Sequence, residues 1–73
     1  MSPYLKICSG AEAVKKFERA GWFVDRQKGS HVMLVRTGYF YTLSVPLHKE
    51  LDLGTLKKLI RQAGLTADHF NDL

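Results

Sequence analysis

Apolar residues recur at helical spacing near both ends of this chain, and strand-like runs lie between them. Ser9 followed by Glu12 is a capping-box pattern, in which the Ser oxygen takes a free amide of the first turn and the Glu side chain reaches back. Behind it Ala13, Val14, Phe17, Ala20 and Gly21 repeat with helical spacing, while Lys15, Lys16 and Arg19 fall on the opposite, wet side, and Gly21 ends the helix. Trp22 to Gln27 is rich in aromatic and β-branched residues and runs into Lys28-Gly29-Ser30, so it predicts a strand closing into a turn, with a second strand from His31 to Arg36. After a turn at Thr37-Gly38, the stretch Tyr39 to Pro46 alternates, with Tyr39, Tyr41, Leu43 and Val45 on one side and Phe40, Thr42 and Ser44 on the other. That period predicts a third strand with one buried face, ended by Pro46, which cannot donate to a ladder. Leu47 to Leu51 is a connection. Asp52 then caps a second helix carrying Leu53, Leu56, Leu59, Ile60 and Ala63, with Lys57, Lys58 and Arg61 on its far side and Gly64 at its end. Thr66 caps a last short helical turn with His69 and Phe70, and Pro3 to Ile7 is an ordered lead-in that packs under the domain edge or forms a minor strand.

The order helix, three antiparallel strands, helix is an α+β arrangement. Short turns make the strands a meander, and both helices must cover one face of the sheet, because each has an apolar stripe that only the sheet can receive. This α-β-β-β-α order is the layout of double-stranded-RNA-binding domains. The 73 residues form a single domain, close to the size at which one core just suffices, since a domain of about 60 residues buries about 60% of its unfolded surface.

Composition narrows the class. With 45% apolar and 25% charged residues the chain reads as an ordinary globular protein rather than a disordered one. Cys8 is the only cysteine, which excludes an internal disulfide framework and fits a reducing cytoplasm. No apolar run approaches the ~18 residues of a membrane span, and no signal-peptide pattern is found, so a cytoplasmic protein without membrane contact is expected. Eleven Lys and Arg against seven Asp and Glu leave a formal charge of +4, which favours polyanion partners through phosphate neutralisation.

The charge directs attention to Lys28-Gly29-Ser30-His31, a basic glycine turn that delivers a histidine onto the first position of an apolar run. Histidine gains and loses a proton near neutrality, and Arg26, Lys28 and Arg36 around the same turn supply cations for a phosphate. A lone His at a strand start is more often a half-exposed polar residue, and basic clusters such as Lys15/Lys16/Arg19 or Lys57/Lys58/Arg61 are more often a solvated helix face. Ser30 and His31 are adjacent on a strand and so point to opposite faces, which removes a serine hydrolase pair. His31, His48 and His69 lack zinc-motif spacing, and the glycines match neither phosphate-loop nor dinucleotide patterns, so no metal or small-molecule cofactor is expected.

Four short strings in order, Arg26-Gln27-Lys28-Gly29-Ser30-His31, Val45-Pro46-Leu47-His48, Gly54-Thr55-Leu56 and Leu59-Ile60-Arg61-Gln62-Ala63-Gly64-Leu65, together resemble the HicA-type toxins of prokaryotic toxin-antitoxin pairs. The resemblance runs from about the first helix to about Leu65. It implies a small ribonuclease with a double-stranded-RNA-binding-like fold, which cleaves messenger RNA and is held inactive by a HicB-type antitoxin. The family's catalytic residue matches His31, and Gly29 and Ser30 match the turn that presents it.

The combined expectation is a metal-independent endoribonuclease with His31 as general acid-base. Its RNA contacts are Arg26, Lys28, Gly29, Ser30, Arg36, Lys57, Lys58 and Arg61. A non-catalytic RNA-binding module on the same fold is the alternative, and a third reading makes docking of a protein partner the main task.

Overall fold

Capping, turn chemistry and burial produce the predicted order, and the last helical turn expected after Thr66 forms a short third helix. A computed structural model describes residues 4–73, so of the lead-in Pro3 lies outside the described residues. The elements are α1 (Gly10–Arg19), β1 (Phe23–Lys28), β2 (His31–Val35), β3 (Leu43–Pro46), α2 (Leu53–Gln62) and α3 (Ala67–Asn71). The three strands pair antiparallel in the order β1-β2-β3. The fold is α+β, with helices packed on one face of an open sheet in the double-stranded-RNA-binding arrangement.

Each helix begins where a side-chain oxygen takes the first free amides. Ser9 accepts from the Glu12 amide while Glu12 reaches back to Ser9, which completes the capping box. Thr66 does the same for the His69 amide at α3. At α2, Asp52 accepts from both the hydroxyl and the amide of Thr55, at 2.7 and 3.0 Å. The hydroxyl bond and then the amide bond hold the Asp52 carboxyl below the usual carboxylate range. Because the native value is the lower one, this cap contributes stability above the unfolded value of about 3.9 and loses it as pH falls through the native value. Asp52→Asn is therefore expected to unfold with a shallower acid limb below about pH 4, read as urea midpoint against pH. Identical limbs for the two proteins would show that the cap bonds do not depend on charge.

The core gathers Ala13 and Phe17 of α1, Val32 and Leu34 of β2, Leu43 and Val45 of β3, Leu56, Leu59 and Ile60 of α2, and Phe70 of α3, with Trp22, Leu51 and Ala63 from the connections. Alternation on β2 sends Val32 and Leu34 to the helices and leaves His31 and Val35 exposed on the other face. β1 is an edge strand with every residue exposed and a bulge between Val24 and Arg26, and both the charges and the bulge discourage pairing with another chain.

The third strand is shorter than its alternation predicts. Leu43 and Val45 are buried, but Tyr39 and Tyr41 are 41% and 50% exposed and lie outside β3. The cause is the partner strand: β2 ends at Val35, and the chain then turns through Gly38 (φ 86°), with the Tyr39 amide bonded to the Arg36 carbonyl, so Tyr39 to Tyr41 have no ladder to join. Tyr39 instead packs edge-on against Trp22 at 5.2 Å.

One basic residue of α1 also leaves its predicted setting. Lys16 is half-buried rather than on the wet side; its ammonium donates to the Phe70 carbonyl at 3.1 Å and lies 4.8 Å from the Phe70 ring centroid, tying α3 to α1. The lead-in is held from the same side, with Leu5 packed on the core and Asn71 bonded to the Lys6 amide and the Tyr4 carbonyl.

Gly10 explains how the start of α1 docks. Its amide donates to the His48 carbonyl at 2.9 Å, and a Cβ there would stand 2.0 Å from the Pro46 carbonyl oxygen and 2.9 Å from the Leu47 Cα. Backbone fills the space, so a side chain forces α1 away from β3. Gly10→Ala is expected to lose ~1–3 kcal/mol in urea unfolding despite alanine's better helix propensity; an equal or raised midpoint would mean that this contact is loose.

Candidate active site

The Lys28 to His31 hairpin turns through Gly29 and Ser30. Gly29 has φ 60° while among the described residues no non-glycine residue has positive φ, the signature of a type II′ turn with glycine at its first central position. A Cβ on Gly29 would meet nothing within 4 Å, so the need for glycine is conformational and not spatial. Gln27 braces the turn from within, its side-chain amide donating to the Gly29 carbonyl at 3.1 Å. From outside, the Leu47 amide donates to the Ser30 carbonyl at 2.7 Å, fastening the turn to the end of β3.

Register then assembles the cluster. His31 stands opposite Lys28 on β1 and opposite Pro46 on β3, and Arg26 is paired with Met33, one step along the same face. Directly opposed side chains begin about 5 Å apart and diagonal ones about 7–8 Å apart. The exposed imidazole of His31 is thus flanked by one cation directly and one diagonally on the sheet face that no helix covers. Such a row can hold a phosphate between guanidinium and ammonium groups while the imidazole reaches a proton beside it.

The other predicted contacts are placed elsewhere. Arg36 lies beyond the far end of β2, where its guanidinium donates to the Ala20 carbonyl, sits 4.8 Å from the Tyr39 ring centroid and fills the space above Gly21. A cation there satisfies the C-terminal carbonyl of α1, a role in folding apart from the turn cluster. Lys57, Lys58 and Arg61 are exposed on α2, which packs against β3 on the helical side of the sheet, and they do not join His31. The side chain of His48 is also exposed. Burial pushes the Cys8 thiol upward, which disfavours the thiolate.

Sequence reasoning missed the bracing by Gln27 and Leu47, and it missed Tyr41 and Gln62, which line an open cleft with Lys58 and Arg61. Gln27 was visible inside a motif string, but a bond from side chain to turn carbonyl has no sequence signature. Among the described residues no three His, Cys, Asp or Glu side chains stand together as a metal set, and no helix is long and apolar enough to cross a membrane.

Comparison with curated proteins gives no match. The family model described as HicA toxin of bacterial toxin-antitoxin matches residues 10–65, from the first residue of α1 through the hairpin and His31 to the residue after Gly64. That span takes in α1, the whole sheet, the basic turn and α2, and the chain belongs to the HicA toxin family of bacterial toxin-antitoxin systems.

Proposed function

We propose that this toxin is a ribonuclease that cleaves messenger RNA without a metal ion, with His31 as general acid-base. The observation that carries the reading is the register of the hairpin, which sets exposed His31 opposite Lys28 and diagonal to Arg26. RNA brings its own nucleophile. The His31 imidazole takes the proton of the 2′-hydroxyl, the 2′-oxygen attacks phosphorus, and the bond to the 5′-oxygen breaks. The imidazolium can return its proton to that leaving oxygen, so the products are a 2′,3′-cyclic phosphate and a 5′-hydroxyl end. Arg26 and Lys28 hold the phosphate and meet the charge that builds on it.

The partner in this reading is a HicB-type antitoxin that covers the open face and shields His31 with an acidic surface or an inserted loop, an arrangement suited to the charge of +4. The test is incubation of the purified protein with end-labelled messenger RNA in excess EDTA, with the product ends identified. Cleavage leaving cyclic phosphate is the expected result. Loss of cleavage on chelation, or 3′-hydroxyl ends, overturns the mechanism, and binding with intact RNA would make the chain an RNA-binding module.

A further inference from the structure

Away from the turn, the stretch from Tyr41 to Ser44 and the facing side of α2 line two neighbouring open clefts. The larger, about 420 Å³, is lined by Tyr41, Lys58, Arg61 and Gln62. The smaller, about 170 Å³, is lined by Thr42 and Ser44 among others and shares Lys58 and Gln62 with the first. Ser44 pairs with Met33, which pairs with Arg26, so this edge connects with the face that carries His31.

We infer that this groove is a subsite for a single-stranded RNA segment, in which Tyr41 stacks on a base and Lys58 and Arg61 hold the adjoining phosphates. The inference rests on the ribonuclease reading and adds to it where the strand runs and which side chain meets a base. The linings contain two cations and no carboxylate, and α2 itself carries three cations and no acid, so the occupant is anionic. Tyr41 is half-exposed outside the sheet, with Phe40, 93% exposed, edge-on to its ring at 5.4 Å. An aromatic platform beside a cationic groove is the arrangement that holds single strands without sequence preference. The Gln62 amide adds a donor and an acceptor for a base edge. At most about 18 Å of chain separates Tyr41 from Pro46, the cross-strand neighbour of His31. That is the length of about five stacked nucleotides at ~3.4 Å each, so one strand can occupy the groove and present a phosphate to His31.

The experiment measures binding of a short fluorescein-labelled oligouridine by anisotropy, across a salt series, with every variant made in the His31→Ala background so that cleavage plays no part. Tyr41→Ala is expected to weaken binding between about fivefold and about 150-fold, the range for loss of one base stack, while Tyr41→Phe retains it. Lys58→Ala with Arg61→Ala is expected to flatten the slope of log affinity against log salt by about 1.4, from ~0.7 for each single-strand phosphate contact. Circular dichroism of each variant confirms the fold. Unchanged affinity in folded Tyr41→Ala overturns the subsite, as does an equal loss in Tyr41→Phe, which would point to the hydroxyl. Loss of a HicB-type protein but not of RNA on Tyr41→Ala makes the groove a protein interface and also overturns it. Cleavage by the native chain is scored separately. If it cleaves while Tyr41→Ala binds normally, only the subsite fails; if it never cleaves while Tyr41→Ala loses RNA, only the ribonuclease reading fails.

Discussion

His31→Ala is expected to lose cleavage by a factor of about 10² to 10⁴, the usual contribution of a positioned acid-base group, while its unfolding midpoint stays that of the native chain. The two halves of this expectation have different sources. The imidazole is exposed and belongs to no part of the core, so truncating it opens no cavity and strands no buried partner. Its backbone position is held by other means, through its pairing with Lys28 and Pro46, the Gly29 turn and the Leu47 bond to Ser30. A rate constant measured for both proteins on one labelled messenger RNA, beside urea unfolding of each, checks the pair of outcomes. Cleavage within about threefold of native would remove His31 from the centre of the chemistry, because even the low end of acid-base catalysis exceeds that factor. A large loss of stability would instead assign it a structural task.

The largest stability effect is expected at Phe17. Its ring is fully buried, packs against Phe70 at 5.2 Å and lies at the junction of α1, α3 and the sheet. Phe→Ala at such a site costs about 3–5 kcal/mol through lost transfer energy and the cavity that remains. Domains carry about 0.05–0.15 kcal/mol per residue, which for this length is ~4–11 kcal/mol in all. Phe17→Ala is therefore expected to be largely unfolded or to melt near ambient temperature, and α3 should come away from α1 first, because Phe70 and the Lys16 bond tie the two helices together. Circular dichroism with urea titration measures this. A loss below about 1 kcal/mol would mean that α3 repacks into the space.

Local patterns carried much of this description. The Ser9-Glu12 box, the Asp52 and Thr66 caps and the helix-ending Gly21 and Gly64 each depend on bonds and dihedral angles within a few residues, and each lies where the sequence puts it. The hairpin at Gly29 is equally local, so the adjacency of Lys28 and His31 follows from turn length alone. Alternation failed at Tyr39 and Tyr41 because a strand needs a partner, and where β2 ends is not written in the residues of β3. Charge patterning misplaced Lys16 and Arg36 for a related reason: a long cationic side chain reaches whichever carbonyl the fold brings near, Phe70 for one and Ala20 for the other.

By itself the sequence determined the order of elements, the capped helices, the basic turn with His31 at its exit, and the resemblance that the match over residues 10–65 makes a family membership. Only the tertiary structure decided that Arg36 stands apart from His31, why Gly10 admits no side chain, and that Tyr41 lines one cleft with Lys58 and Arg61. The division has one physical cause. Caps, turns and periodicity are set by interactions over a few residues, whereas a groove or a close backbone approach arises when distant segments pack around one core, and its geometry belongs to no segment alone.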